Sequence, residues 1–206
     1  MPEIKKMNTY TAQLEEFVNK GKAFTAAEAR MSGIPSAMLP YYVKTGRLEH
    51  LGHGVYAPSE RPFRQYQNIE QLLKKGNRFV VCLLSALRLH DFTCQLPNSL
   101  WIAIPQGHHP PSFNGAPLTC IYSNSRSFDF GVEYIEREGL SIPVYSAAKT
   151  VADCFKYRNK FGLDVAIEAL HEGYRLKKFT IQELHQAGDI CRVSNVMSPY
   201  IIGMLQ

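Results

Sequence analysis

The chain has 206 residues and a mass of 23.3 kDa, with 45% apolar residues, enough to bury one large core or two small ones. Its formal charge is +5 with a pI near 8.9, compatible with a nucleic-acid partner without demanding one. No stretch approaches the roughly 18 apolar residues of a membrane span, and the start Met1-Pro2-Glu3-Ile4-Lys5-Lys6 lacks the apolar segment of a secretory signal, so a soluble cytoplasmic protein is expected.

The charge is denser in the first third. Residues 1 to 64 carry nine Lys and Arg against six Asp and Glu, a formal +3, while residues 65 to 206 carry +2. Five cysteines, Cys82, Cys94, Cys120, Cys154 and Cys191, are odd in number, widely spaced and without a CxxC pair. They read as free thiols rather than as a disulfide framework or a zinc site, and no metal or cofactor is expected.

In chain order, Asn8 or Thr9 can cap a first helix with Leu14, Phe17 and Val18 on one face and Gly21 as its stop. Thr25-Ala26-Ala27-Glu28 is a capping box, which predicts a second helix from Ala26 to about Met31, ended by Gly33. Ile34-Pro35 is a turn, and Ser36 is the expected cap of a third helix over Ala37 to Thr45. Its Leu39, Tyr42 and Val43 share one face, leaving Ala37, Pro40, Tyr41 and Lys44 outward. Pro40 conflicts with that helix unless it falls in the first turn, because deeper in it would cost about 3 kcal/mol. Gly46 then allows the positive φ of a helix end, and Gly52-His53-Gly54 turns a hairpin between Leu48 to Leu51 and Val55 to Ala57. Helix, helix, helix, hairpin is the order of a winged helix.

Residues 58 to 64, PSERPFR, hold two prolines and three charges between patterned segments and mark a boundary. The expected organisation is a winged helix-turn-helix over 1–60 and a larger domain over 65–206. Tyr66, Ile69, Leu72 and Leu73 describe a connecting helix ended by Gly76. Phe79 to Leu89, apolar all round, predicts one buried helix; a strand is the alternative, since Phe79-Val80-Val81 is β-prone, but length and the Ser-Ala-Leu-Arg-Leu continuation favour the helix. Short β-prone runs follow, Leu100 to Ile104, Leu118 to Tyr122, Gly131 to Glu136 and Ile142 to Tyr145. Helical patterns then return over Ala147 to Tyr157 with Ser146 as cap, Leu163 to Arg175, Thr180 to Ile190 and Ser198 to Leu205. The fold class is therefore α+β, a winged head followed by helices packed on a small mixed sheet.

Four blocks carry a resemblance: Gly46-Arg47-Leu48 with Gly52-His53-Gly54-Val55-Tyr56, then Cys82-Leu83-Leu84-Ser85-Ala86-Leu87-Arg88-Leu89-His90, Lys149-Thr150-Val151-Ala152-Asp153, and Ala166-Ile167-Glu168-Ala169-Leu170. In that order, across residues 10 to 205, the chain resembles the AbiEi family of antitoxins from type IV toxin-antitoxin systems. The resemblance implies a DNA-binding repressor of its own operon that also neutralises a nucleotidyltransferase-like toxin without forming a stable complex. The wing tip departs from the Gly-Arg-Gly or Gly-Lys-Gly of similar proteins, since His53 replaces a permanent cation with an imidazole. The alternative reading is a winged-helix regulator whose C-terminal domain binds a ligand or a protein.

The candidate DNA contacts are Thr25, at a helix N-terminus that could accept a phosphate, with Ser36, Tyr41, Lys44, Arg47 and His53. In the second domain, Lys149, Lys156, Arg158, Lys160, Arg175, Lys177 and Lys178 form a candidate basic surface for nucleic acid. Catalysis is not expected. Asp129, Glu133 and Lys149, or His108-His109 with Asp91, can be assembled on paper, but no HExxH, Walker loop or GxSxG accompanies them. Asp153 is expected to pair with Lys149 at helical spacing, and Cys82 and Ser85 are expected to pack rather than react.

Overall fold

The computed structural model describes residues 2–61, 64–94, 97–111 and 117–205, so Pro62 and Phe63 of the expected boundary lie outside the described residues. The chain divides into two compact units, Met1–Asn77 with Pro111–Gly115, and Arg78–Pro110 with Ala116–Gln206.

In the first unit, α1 (Pro2–Lys20) starts well before the expected cap at Asn8 or Thr9 and ends where Gly21 donates to the carbonyls of Phe17 and Val18. A two-residue strand that the sequence pattern did not signal, β1 (Phe24–Thr25), leads into α2 (Ala26–Met31). Then come a 3-10 turn (Ser36–Met38), α3 (Leu39–Lys44) and the hairpin β2 (Leu48–Gly52) and β3 (Val55–Pro58). The strands form an antiparallel sheet in the order β1-β3-β2, with Phe24 opposite Tyr56 and a register shift between His50 and Gly52. That bulge is where the hairpin twists into its turn.

Leu14, Phe24, Ala29, Ile34, Leu39, Tyr42 and Leu48 make the core of this unit. Each fully buried Leu or Ile stabilises by about 1.5–3 kcal/mol relative to exposure, so the six-residue helices α2 and α3 hold only because they share one core with α1. Helix α4 (Gln67–Lys74) is built into the same unit. Gln71 donates to the Leu51 carbonyl, and Lys74 Nζ lies 2.5 Å from Glu28.

In the second unit, the run expected as one helix over Phe79 to Leu89 divides. Val80–Val81 is strand β4, Cys82 is the cap, and α5 spans Leu83–Leu89. No glycine marks the break. The chain turns at Leu83 itself, which takes φ +48, a conformation an L-residue adopts only when its surroundings impose it. The remaining strands are β5 (Leu100–Pro105), β6 (Leu118–Ser123), β7 (Val132–Arg137) and β8 (Leu140–Tyr145). They form a mixed sheet ordered β6-β5-β4-β8-β7, with β5 parallel to β6, β4 parallel to β8, and the other neighbours antiparallel. β4 therefore occupies the centre of the sheet, which explains why Val80 and Val81 are apolar on both faces.

A short helix, α6 (Ser125–Asp129), is capped by Asn124. Helices α7 (Ala147–Lys156), α8 (Arg158–Phe161), α9 (Leu163–Arg175), α10 (Ile181–Cys191) and α11 (Ser194–Leu205) complete the unit. Ser146 caps α7 as expected, and Thr180 caps α10 through a second capping box with Glu183. The last helix begins four residues before its expected start at Ser198. Val80, Ala103, Ile121 and Tyr145 from the sheet join Val151, Phe155, Leu170 and Leu184 from the helices in one core. The molecule is α+β, a winged helix-turn-helix followed by helices on a mixed sheet.

Candidate nucleic-acid interface

The 3-10 turn and α3 together form nine consecutive residues of helical backbone. Leu39 and Tyr42 are buried, whereas Ser36, Ala37, Pro40, Tyr41 and Lys44 are exposed, as the spacing predicts. Pro40 sits in the first turn of α3, where its missing N–H has no helical acceptor to lose. The residue that threatened the helix therefore helps begin it. Ser36 corrects an expectation. It opens the 3-10 turn with Pro35 as the preceding cap residue and makes no side-chain cap bond, so its hydroxyl stays exposed. Tyr41 is 45% exposed, with its ring edge-on to Tyr42 at 5.6 Å. Lys44, in the last turn, projects its ammonium into solvent.

The helix stops because Gly46 takes φ +74, which lets the Gly46 and Arg47 N–H groups donate back to Val43 and Tyr42. At the tip of the hairpin His53 takes φ +44 between Gly52 and Gly54 and is exposed. His50, also exposed, lies against the Tyr56 ring at 5.0 Å. The wing thus presents two imidazoles and no permanent cation. The Ala26 N–H donates 2.7 Å to the Gly54 carbonyl, which fixes the wing turn to the start of α2.

Two candidates are already engaged. The Thr25 hydroxyl accepts the Glu28 N–H at 3.1 Å, while the Glu28 carboxylate accepts the Thr25 N–H at 2.6 Å and its hydroxyl at 3.0 Å. Partial burial by itself raises the Glu28 pKa, but Lys74 and the Thr25 donors outweigh it and the net direction is down. Thr25 thus spends its hydroxyl and its amide inside the box. Arg47 is half-buried and ion-paired with Glu15 of α1, so it ties the first helix to the root of the wing. Such a partly exposed pair contributes about 0–1 kcal/mol and can be exchanged for a phosphate. Lys22 and Arg30 are exposed cations of the same unit that periodicity did not single out. Their signal was only their position outside the buried face.

In the second unit the expected basic surface loses one member. Lys149 is fully buried, its Nζ 2.7 Å from both Asp153 carboxylate oxygens and 4.5 Å above the Tyr145 ring. Burial pulls its pKa down, but Asp153 overrides this and the net direction is up, so the ammonium stays charged. The i,i+4 pairing expected for Asp153 is present, and Cys191 also donates to that carboxylate. Lys156 and Lys160 are exposed on α7 and α8, 5.4 and 5.9 Å from the Tyr157 ring, and Arg158 donates to the Phe155 carbonyl at 2.9 Å. Arg175 makes a two-pronged contact with Glu172, and Lys177 and Lys178 are exposed just beyond α9.

The paper constellations for catalysis do not assemble. Asp129 pairs with Arg78 at 2.7 Å, Lys149 is buried with Asp153, and His108 and His109 lie in an exposed loop. Among the described residues no cluster of His, Cys, Asp and Glu is arranged to hold a metal ion. Burial, first, and then Asp153 push the Cys82 thiol well up, the opposite of an activated nucleophile. Among the described residues no helix is long and apolar enough to cross a membrane.

Residues 12–59 match the family model described as a transcriptional regulator, AbiEi antitoxin. No curated protein matches the chain. The crystal structure of the RV2827C protein from Mycobacterium tuberculosis is similar over 88% of this chain and 71% of its own, with a TM-score of 0.63 at 12% identity. That likeness concerns the fold, and the family match falls on the same α1-to-wing segment whose geometry is described above. Over this segment, the chain is similar to the AbiEi antitoxin family of transcriptional regulators.

Proposed function

We propose that the chain binds duplex DNA at its own promoter through α3 and the wing, represses the operon that encodes it, and neutralises a nucleotidyltransferase-like toxin from that operon without a stable complex. The observation that carries the DNA reading is the exposed row Ser36, Ala37, Pro40, Tyr41 and Lys44, set over a buried Leu39 and Tyr42 and followed by an exposed wing tip. In a winged helix this row enters the major groove. Residues at its start meet base edges, and Lys44 meets a phosphate. Tyr41 offers a hydroxyl and an apolar ring face to the same groove. Toxin neutralisation is supported by the family match alone.

The test uses the full chain, so that the two activities are read from one folded protein. Tyr41→Ala with Lys44→Ala is expected to abolish the gel shift of upstream DNA, while co-expression with the toxin still restores growth. An unchanged shift refutes the groove assignment; loss of growth rescue by a folded double variant refutes the separation of the two roles.

A further inference from the structure

The parallel strands β5 and β6 end side by side, Pro105 opposite Ser123; the chain leaves β5 through a tight turn and β6 through Asn124 into α6. Beyond those ends lies a cleft of about 420 Å3, within the size range of small-molecule sites. One wall is a β-turn closed by the His108 N–H on the Pro105 carbonyl at 3.1 Å, with Gly107 at φ +86 in the position that requires it. The turn brings the Gln106 amide and the His108 imidazole to the cleft. The other wall is Asn124 and Ser125. The Asn124 Oδ1 is taken by the Ser127 N–H, so its remaining capacity is the donor NH2. Across the mouth stands Arg78, its guanidinium 5.0 Å over the Phe128 ring.

The chemistry of this lining is one-sided. Arg78, Gln106, His108, Asn124 and Ser125 all carry N–H or O–H donors, and among the described residues no carboxylate lines the cleft. The side chains of Gln106, His108 and Ser125 have no hydrogen-bond partner among the described residues. Asp129, which is not among the lining residues, pairs with Arg78, and both side chains are about 60% exposed (59% and 60%). An exposed pair contributes little, so Arg78 can exchange Asp129 for an anion in the cleft at small cost. A carboxylate ligand has two oxygens to satisfy, whereas a terminal phosphate has three and up to two charges, which matches five converging donor groups better.

We infer that this cleft at the ends of β5 and β6 binds a terminal phosphate, carried either by a free mononucleotide or by the 5′ end of an RNA. Arg78 supplies the charge, His108 and Ser125 flank the phosphate oxygens, and the Pro105 and Phe128 surfaces form the apolar floor. The site lies wholly in the second unit and does not depend on the DNA-binding reading of the first.

The experiment is calorimetric titration of the full chain with adenosine monophosphate, with adenosine, and with a short RNA bearing either a 5′ phosphate or a 5′ hydroxyl. Adenosine monophosphate is expected to bind saturably and adenosine not to bind. Arg78→Gln should weaken binding by about tenfold or more, the scale of one lost hydrogen bond to a charged group. Ser125→Asp should abolish it by placing a negative charge in the cleft, and an acid in the first turn of α6 is compatible with folding. If the 5′-phosphorylated RNA binds more than about tenfold tighter than the mononucleotide, the ligand is an RNA end; comparable affinities assign the free nucleotide. Equal binding of adenosine and its monophosphate, of the two RNAs, or of wild type and Arg78→Gln overturns the proposal. So does the lack of any saturable phosphate probe up to about 10 mM.

Discussion

The two units use the same devices to opposite ends. Each has a capping box, Thr25 with Glu28 in the head and Thr180 with Glu183 in the body, and each has an ion pair, between α1 and the root of the wing in the head and within α7 in the body. In the head the pair is Arg47 with Glu15, half in water, beside the exposed row of α3. In the body it is Lys149 with Asp153, sealed inside the core with Cys191 and Tyr145 around it. Around α3 and the wing the head keeps its charges where a partner can reach them, whereas Glu70 of the same unit is buried against Arg64. The body uses charge to fix one packing of α7. An excess of Lys and Arg in a sequence therefore says little about a binding surface until burial is known, and Lys149 shows how one member of a basic list can belong to a core.

The largest effect should come from breaking the buried pair. Lys149→Met strands a buried carboxylate, and the unfolding free energy in urea is expected to fall by about 3–5 kcal/mol. Lys149→Met combined with Asp153→Leu should recover most of that loss, because two apolar groups replace two desolvated charges. Equal losses in the single and double variants would mean that packing volume, not the stranded charge, sets the cost. The corresponding change in the head, Glu15→Gln, should cost under about 1 kcal/mol.

The two caps offer a finer comparison. Thr25→Ala and Thr180→Ala each remove the same pair of bonds and should each cost about 1 kcal/mol in thermal or urea unfolding. A markedly larger loss for Thr25→Ala would show that its link through Glu28 to Lys74 matters, since Lys74 Nζ lies 2.5 Å from that carboxylate and the Thr180 box has no such third partner among the described residues.

A pH effect separates the units further. Burial lowers the pKa of His90, whose Nε2–H donates 2.7 Å to the Tyr145 carbonyl, against the smaller opposing pull of that bond. In the unfolded chain the imidazole binds a proton near pH 6.5, in the folded chain only at lower pH. The unfolded state thus holds more protons in that window, and stability falls as pH drops below about 6.5. His90→Gln, which keeps a donor for Tyr145, should flatten that part of the stability profile. A profile identical to wild type between pH 6.5 and 5 would contradict the buried neutral imidazole.

The head was readable in the sequence because its signals are local. Thr25-x-x-Glu28 writes a helix start, Gly46 a helix end and Gly52-His53-Gly54 a turn, and each acts within a few residues. Even Pro40 reported correctly that α3 begins late. The body was legible in class but not in order. Strand β4 is two residues long and its identity comes from partners 21 to 63 positions away, Ile102 and Val144 opposite Val81 among them, so periodicity within 79–89 cannot announce it even though Phe79-Val80-Val81 is β-prone. The absence of a glycine at Leu83 removed the remaining punctuation. Strand β1 escaped for the same reason, since Phe24 and Thr25 are strand only because Tyr56 and Val55 lie beside them. The candidate site divides likewise. The exposure of Tyr41, Lys44 and His53 followed from spacing and turn chemistry, whereas the engagement of Arg47 by Glu15 and of Lys149 by Asp153 depends on what folding brings near, though the i,i+4 spacing hinted at the second.

Contact of α3 with DNA is tested most directly by one measurement: the salt dependence of binding of the full chain to its upstream DNA, by fluorescence anisotropy, for wild type and Lys44→Ala. Loss of one phosphate contact should lower the affinity and reduce the slope of log K against log salt by about 1, while the circular dichroism spectrum is unchanged. A slope and an affinity identical to wild type would contradict the placement of α3 in the groove.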